Sequence, residues 1–142
     1  MSFSTRCMTD ADWPHVKHFT KDEFHHPDKM GYEFILCLDQ VRETAGVPMV
    51  ITSDARTHQQ DIAIGGAEDS AHDDVPCNAV DIGMRPRPDD PHWNYSRDRI
   101  VRAAMQHGFV RMGIYPTSVH LDRTEDRRPA PRIWTAVDNP AH

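Results

Sequence analysis

No apolar run in the 142-residue chain approaches the ~20 residues that a membrane-spanning helix requires. The opening segment, Met1 to Arg6, also lacks the apolar stretch of a secretory leader, so synthesis in the cytoplasm without a signal peptide is expected. Cysteine is scarce. Cys7, Cys37 and Cys77 are odd in number, widely spaced and outside any Cys-x-x-Cys pattern, which excludes a disulfide framework and a thiolate zinc ribbon. Lysine and arginine form no block, and 16 basic against 22 acidic side chains leave a net charge of −6. Nucleic acids and anionic membranes are held mainly by clustered positive charge, so neither is an expected partner. There is no internal repeat and no low-complexity tract.

A mean hydropathy of −0.68 is polar, but Leu, Ile, Val, Phe and Trp recur in periodic blocks, which argues against a disordered chain. The length suits a single domain over 1–142, with a core at about 19–136 and a polar, Pro-rich C-terminal tail. A chain of this size builds a core without metal or disulfide staples, so any metal is functional before it is structural.

Residues 1–19 read as an irregular lead-in anchored by Trp13, Val16 and Phe19. Thr20 and Glu23 have capping-box spacing, which predicts a short helical turn. From about Asp28 to Ala45, Phe34, Ile35, Leu38, Val41 and Ala45 form the stripe of an amphipathic helix that Gly46 and Pro48 end. Met49 to Thr52 reads as a buried strand, and 53–78 as a long polar loop with one helical turn near His58 to Ile64. A second strand is predicted over Ala79 to Met84, then a Pro-rich excursion, and a helix over about Arg97 to His107 capped by Ser96. Phe109 to Ile114 and Val119 to Asp122 form a hairpin through Tyr115 to Ser118, and Ile133 to Ala136 can add an edge strand. The expected class is α+β, a small and mostly antiparallel sheet with helices on one face.

Strand alternation gives the chemistry. Val80 and Ile82 share one face and Asp81 the other; Val119 and Leu121 share one face, His120 and Asp122 the other. With the apolar faces against the helices, Asp81, His120 and Asp122 point to the far side, where the long loop carrying His72 can close over them. Two imidazoles and a carboxylate make the ligand set of a catalytic zinc site, with the fourth position left for water. That set leaves the metal a net positive charge, which acidifies water and polarises a carbonyl. The implied reaction is hydrolysis.

Ser53-x-x-Arg56, Gly65-Gly66-Ala67, Ser70-Ala71-His72, Ala79-Val80-Asp81-Ile82, Gly108-Phe109, Gly113-Ile114-Tyr115 and Val119-His120-Leu121-Asp122 follow one another in an ordered series. Together they resemble the zinc D-alanyl-D-alanine carboxypeptidase and L-alanyl-D-glutamate endopeptidase family, with the Hedgehog/DD-peptidase fold, over about Phe19 to Trp134. The resemblance implies a zinc metallopeptidase that hydrolyses amide bonds in peptidoglycan stem peptides, with zinc-bound water as nucleophile. By position it makes His72, Asp81 and His120 the zinc ligands and places Arg56 near the substrate, to hold a carboxylate or stabilise the oxyanion. Ser70 would orient the site and line the substrate position, and Tyr115 would assist through its hydroxyl. Small members of this kind are often phage-encoded, which implies an enzyme acting on the cell wall after release, or one carried among virion components.

Two departures stand out. The family usually has seven residues from the first His to the Asp, whereas His72 and Asp81 are nine apart. The intervening Asp73 to Asn78 lacks the family's glycine and contains Cys77, a thiol that can compete for zinc or serve as a small buried filler. Residues 113–119 also lack the acid that many members place before the last histidine. Asp122 is the substitute, either as general base or as the partner that orients an imidazole. The rival reading is a non-catalytic zinc-binding or structural module of a phage tail or baseplate. Asp22 to His26 reads as a solvated turn, Arg123 to Arg132 as a solvated tail, and Trp13, Trp93 and Trp134 as core or groove-edge aromatics.

Overall fold

A computed structural model describes residues 2–57, 70–84, 88–89, 91–93 and 95–135. The turn expected near His58 to Ile64, the Gly65-Gly66-Ala67 motif, Ala136 and the end of the tail lie outside the described residues.

Helix α1 spans Tyr32–Ala45 and buries Phe34, Ile35, Leu38, Val41 and Ala45, the stripe read from the sequence. It ends at Gly46, whose φ of 66° is left-handed and whose N–H donates to the Arg42 carbonyl at 3.0 Å. It starts four residues later than expected, because the backbone ahead of it is already engaged. Pro27–Lys29 is a 3-10 turn, the Met8 N–H donates to the Met30 carbonyl, and the Gly31 N–H donates to Cys77. The capping box at Thr20 forms around a 3-10 turn, Lys21–Glu23, with the Glu23 carboxylate accepting from the Thr20 N–H at 2.7 Å.

The strands are β1 (Val50–Ser53), β2 (Ala79–Gly83), β3 (Arg111–Ile114), β4 (Ser118–Asp122) and β5 (Arg132–Thr135). They form one sheet in the order β1-β2-β4-β3-β5, antiparallel except for the parallel pair β3 and β5. Helix α2, Tyr95–Gln106, packs against α1 and buries Ile100, Ala103 and Ala104. Ser96 therefore lies in its first turn and not at the cap. Val80, Ile82, Val119 and Leu121 join the buried helix residues in one core. This is the α+β architecture expected from the sequence.

The register aligns a row across the other face. Ser53 pairs with Asp81, Asp81 with His120, His120 with Gly113, and Gly113 with Trp134. Below that row, the segment after β4 is not the solvated tail expected over Arg123 to Arg132. Thr124 and Arg128 are buried, and the Asp74 carboxylate accepts from Arg128 at 2.8 Å and Arg127 at 2.9 Å. Opposite charge within one patch explains the folding back of this segment.

Candidate metal centre

His72 arrives on a 3-10 turn, Ala71–Asp73, whose first N–H groups need acceptors. Ser70 caps it, with its hydroxyl accepting from the His72 N–H at 3.2 Å. The turn is tied to the chain after β1 by the Arg56 N–H, which donates to the His72 carbonyl at 2.8 Å. Asp81 and His120 face one another on β2 and β4. One ligand atom from each of His72, Asp81 and His120 lies within 4.8 Å of the other two. Among the described residues this is the only cluster of metal-capable side chains.

A backbone carbonyl fixes the tautomer of His72, and two carboxylates flank His120. The Asp54 carbonyl can only accept, so His72 Nδ1, at 2.6 Å, carries the hydrogen and donates it. The lone pair is then on Nε2, 3.3 Å from Asp81 Oδ1. His120 lies between two acceptors, Nε2 2.7 Å from Asp122 Oδ2 and Nδ1 3.0 Å from Asp81 Oδ1, so the charged ring donates to both. A ring that gives up its Nδ1 proton to a cation keeps the hydrogen on Nε2. Nε2 of one ring, Nδ1 of the other and a carboxylate oxygen thus converge on one point, held together by the Nδ1 proton or by a cation that replaces it.

Electrostatics follow from the same contacts. Burial pushes the His72 imidazole toward its neutral form, and Asp81 opposes it. Burial acts against charge on His120 too, but hydrogen bonds to Asp122 and Asp81 and the charge of both carboxylates raise it to about 9. Burial would raise Asp122, yet the His120 bond and charge, Thr124 and the Arg111 guanidinium hold it well below the usual carboxylate range. Two imidazoles and one carboxylate, with both rings oriented by partners behind them, fit zinc.

The remaining expected residues divide. Arg56 lies beside His72, close enough for its positive charge to lower that imidazole's basicity. Ser70 is buried, and its hydroxyl is engaged in capping the His72 turn. The hydroxyl of Tyr115 accepts from the Trp134 indole N–H at 2.7 Å, and Asp81 adds to the upward push that burial gives the phenol. Asp122 has 0% exposure, and its Oδ1 accepts from the Arg111 guanidinium, the Thr124 N–H and the Thr124 hydroxyl. Of its two expected roles, the geometry supports orienting His120; a base must reach water, and this carboxylate does not. Cys77 is fully buried with its Sγ 3.5 Å from the Ala79 carbonyl, and burial pushes the thiol far up, so it is the filler and not a competing ligand.

Three contributors, Asp54, Arg111 and Thr124, escaped the sequence reading. Asp54 lies inside the Ser53-x-x-Arg56 motif, and Arg111 pairs across the sheet with Asp122, so alternation along β3 could have pointed to it. Thr124 carried no signal; Trp134, expected as a core or groove-edge aromatic, is buried and packs on His120 with ring centroids 5.3 Å apart. The Asp22 to His26 segment is a partner of the site through its backbone, since the His25 and His26 N–H groups donate to Asp54 Oδ2.

Comparison with curated proteins and with solved structures gave no significant match. A sequence model of the family described as Peptidase M15 matches residues 15–122, a span that holds α1, β1 to β4 and all three converging side chains. Covering most of the chain, the match shows that it belongs to the peptidase M15 family of zinc metallopeptidases.

Proposed function

We propose that this protein hydrolyses amide bonds in the stem peptides of peptidoglycan, with His72 Nε2, Asp81 and His120 Nδ1 holding the zinc ion. The carrying observation is the convergence of those three side chains, with His72 Nε2 turned inward by the Asp54 carbonyl and the His120 ring oriented by Asp122. Zinc bound there supplies a Lewis acid that polarises a carbonyl and draws the ionisation of water toward neutral pH. The chain's own residues do the rest. Asp122, fixed by Arg111 and Thr124, keeps Nδ1 of His120 aimed at Asp81. Arg56, beside His72, brings the positive charge that a peptide carboxylate or a developing oxyanion needs. Tyr115 brings a hydroxyl whose oxygen is held by Trp134. The choice of peptidoglycan rests on the motif series from Ser53 to Asp122, which resembles carboxypeptidases and endopeptidases of the cell wall.

One observation favours a second reading, a zinc-binding module without turnover, at home in a phage tail or baseplate. Asp122 is sealed from solvent, and the β3–β4 connection holds no acid to take its place as base. Mass spectrometry of purified muropeptides after incubation with the protein as isolated, with chelator and with zinc restored separates the two. Zinc-dependent products with a defined mass loss are expected. Stoichiometric zinc with no product from any muropeptide would establish the binding module.

A further inference from the structure

The sheet face that carries Asp81 and His120 continues past them. Two residues along each strand, Gly83 on β2 pairs with Val50 on β1 and Ser118 on β4. Residues i and i+2 share a face, so this row lies on the same side as the metal centre, ~7 Å along the strands. It borders a cavity of about 740 Å³ lined by Val47, Pro48, Met84 and Trp93 together with Thr52, Thr117 and Ser118. Gly83 permits this shape, because a Cβ there would stand 2.5 Å from the Thr52 methyl carbon. Among the described residues, the lining holds no ionisable side chain, in contrast to the charged row beside it.

We infer that this groove is the specificity subsite of the same reaction and takes an uncharged, apolar stretch of the peptide on one side of the scissile amide. The inference rests on the peptidase reading. An extended peptide rises ~3.3 Å per residue, so a chain with its reacting carbonyl at the metal centre reaches the groove within two or three residues. A charged side chain entering it would lose hydration without meeting a counter-ion among the described residues. An apolar one gains contact with Trp93 and Met84, while serine and threonine hydroxyls serve the peptide's amide groups.

The test uses zinc-loaded protein and synthetic stem peptides in which a residue within three positions of the cleaved bond is Ala, Leu, Glu or Lys. Val50 is 60% exposed, so Val50→Glu places a charge at the groove without disturbing the core. Trp93→Ala should raise KM on the order of tenfold for the neutral peptides with kcat within about twofold. Val50→Glu should weaken cleavage of neutral peptides and recover it for the Lys peptide. Zinc content and melting temperature should match wild type in both variants. Wild-type cleavage that ignores peptide charge, with both variants unaffected, overturns the subsite alone. Zinc-loaded wild type that cleaves none of the peptides overturns the peptidase reading and the subsite with it.

Discussion

His120 sits between two carboxylates, with Nδ1 3.0 Å from Asp81 and Nε2 2.7 Å from Asp122. Raised from 6.5 to about 9, it carries a second proton at neutral pH, whereas burial keeps His72 neutral. Zinc at Nδ1 must displace that proton. Affinity for zinc should therefore rise with pH up to about 9, by up to about tenfold per pH unit, and level off above it. Without zinc the sign reverses: the raised value stabilises the fold below pH 6.5, and that contribution is lost as pH rises through about 9. Calorimetric zinc titrations at pH 7 in buffers of different ionisation enthalpy should show about one proton released per zinc; none released would remove Nδ1 from the ligand set. Behind the other imidazole stands Asp54, 1% exposed, whose carboxylate takes the His25 and His26 N–H groups while its carbonyl holds His72. Asp54→Ala leaves that carbonyl without its anchor. Zinc affinity should fall ~10- to 100-fold, as for other outer partners of metal ligands. Asp54→Asn, which still offers an oxygen to the two N–H groups, should restore most of it in a competition assay with a chromophoric chelator.

At the scale of elements, the row from Asp81 through His120 and Gly113 to Trp134 decides what surrounds the metal centre. A Cβ on Gly113 would lie 2.5 Å from Trp134 Nε1 and 2.9 Å from the Tyr115 ring. Gly113→Val must push the indole off His120 or part β5 from β3. A loss of about 1–3 kcal/mol is expected, seen as a lower melting temperature, together with weaker zinc retention. An unchanged melting temperature would mean that Trp134 does not hold this edge. Alternation on β2 and β4 was legible because a period of two assigns each side chain to a face whatever the partner strand does. The α1 stripe was legible for the same reason at 3.6 residues, and Gly46 marked its end. What stayed hidden depends on contacts between distant segments. The start of α1 is set by Cys77 and Met8 taking the backbone at Met30 and Gly31. The sealing of Asp122 is set by Arg111 and Thr124, and the turn that delivers His72 is held by Asp74 against Arg127 and Arg128, 53 and 54 residues away.

For the whole molecule, the question is whether zinc builds the fold or occupies one already built. Asp81 and His120 are neighbours in a hydrogen-bonded sheet, and their strands join the core through Val80, Ile82, Val119 and Leu121. Of the three converging side chains, His72 is the one outside the sheet. Its turn is already fastened by the Arg56 N–H, by the Asp54 carbonyl and by the Asp74 ion pairs. Zinc held by these three side chains would close a turn onto a sheet, both of which the chain holds in place by other means. Its stabilisation should follow mass action, about 2.7 kcal/mol at a free concentration a hundredfold above Kd. At ~2–4 °C per kcal/mol for a chain near this size, chelation should lower the melting temperature by roughly 5–10 °C. Far-ultraviolet circular dichroism should keep its shape, and unfolding should stay cooperative. Loss of both on chelation would make zinc a structural requirement, and the buried cluster around α1 and the central strands would then be too weak to fold by itself.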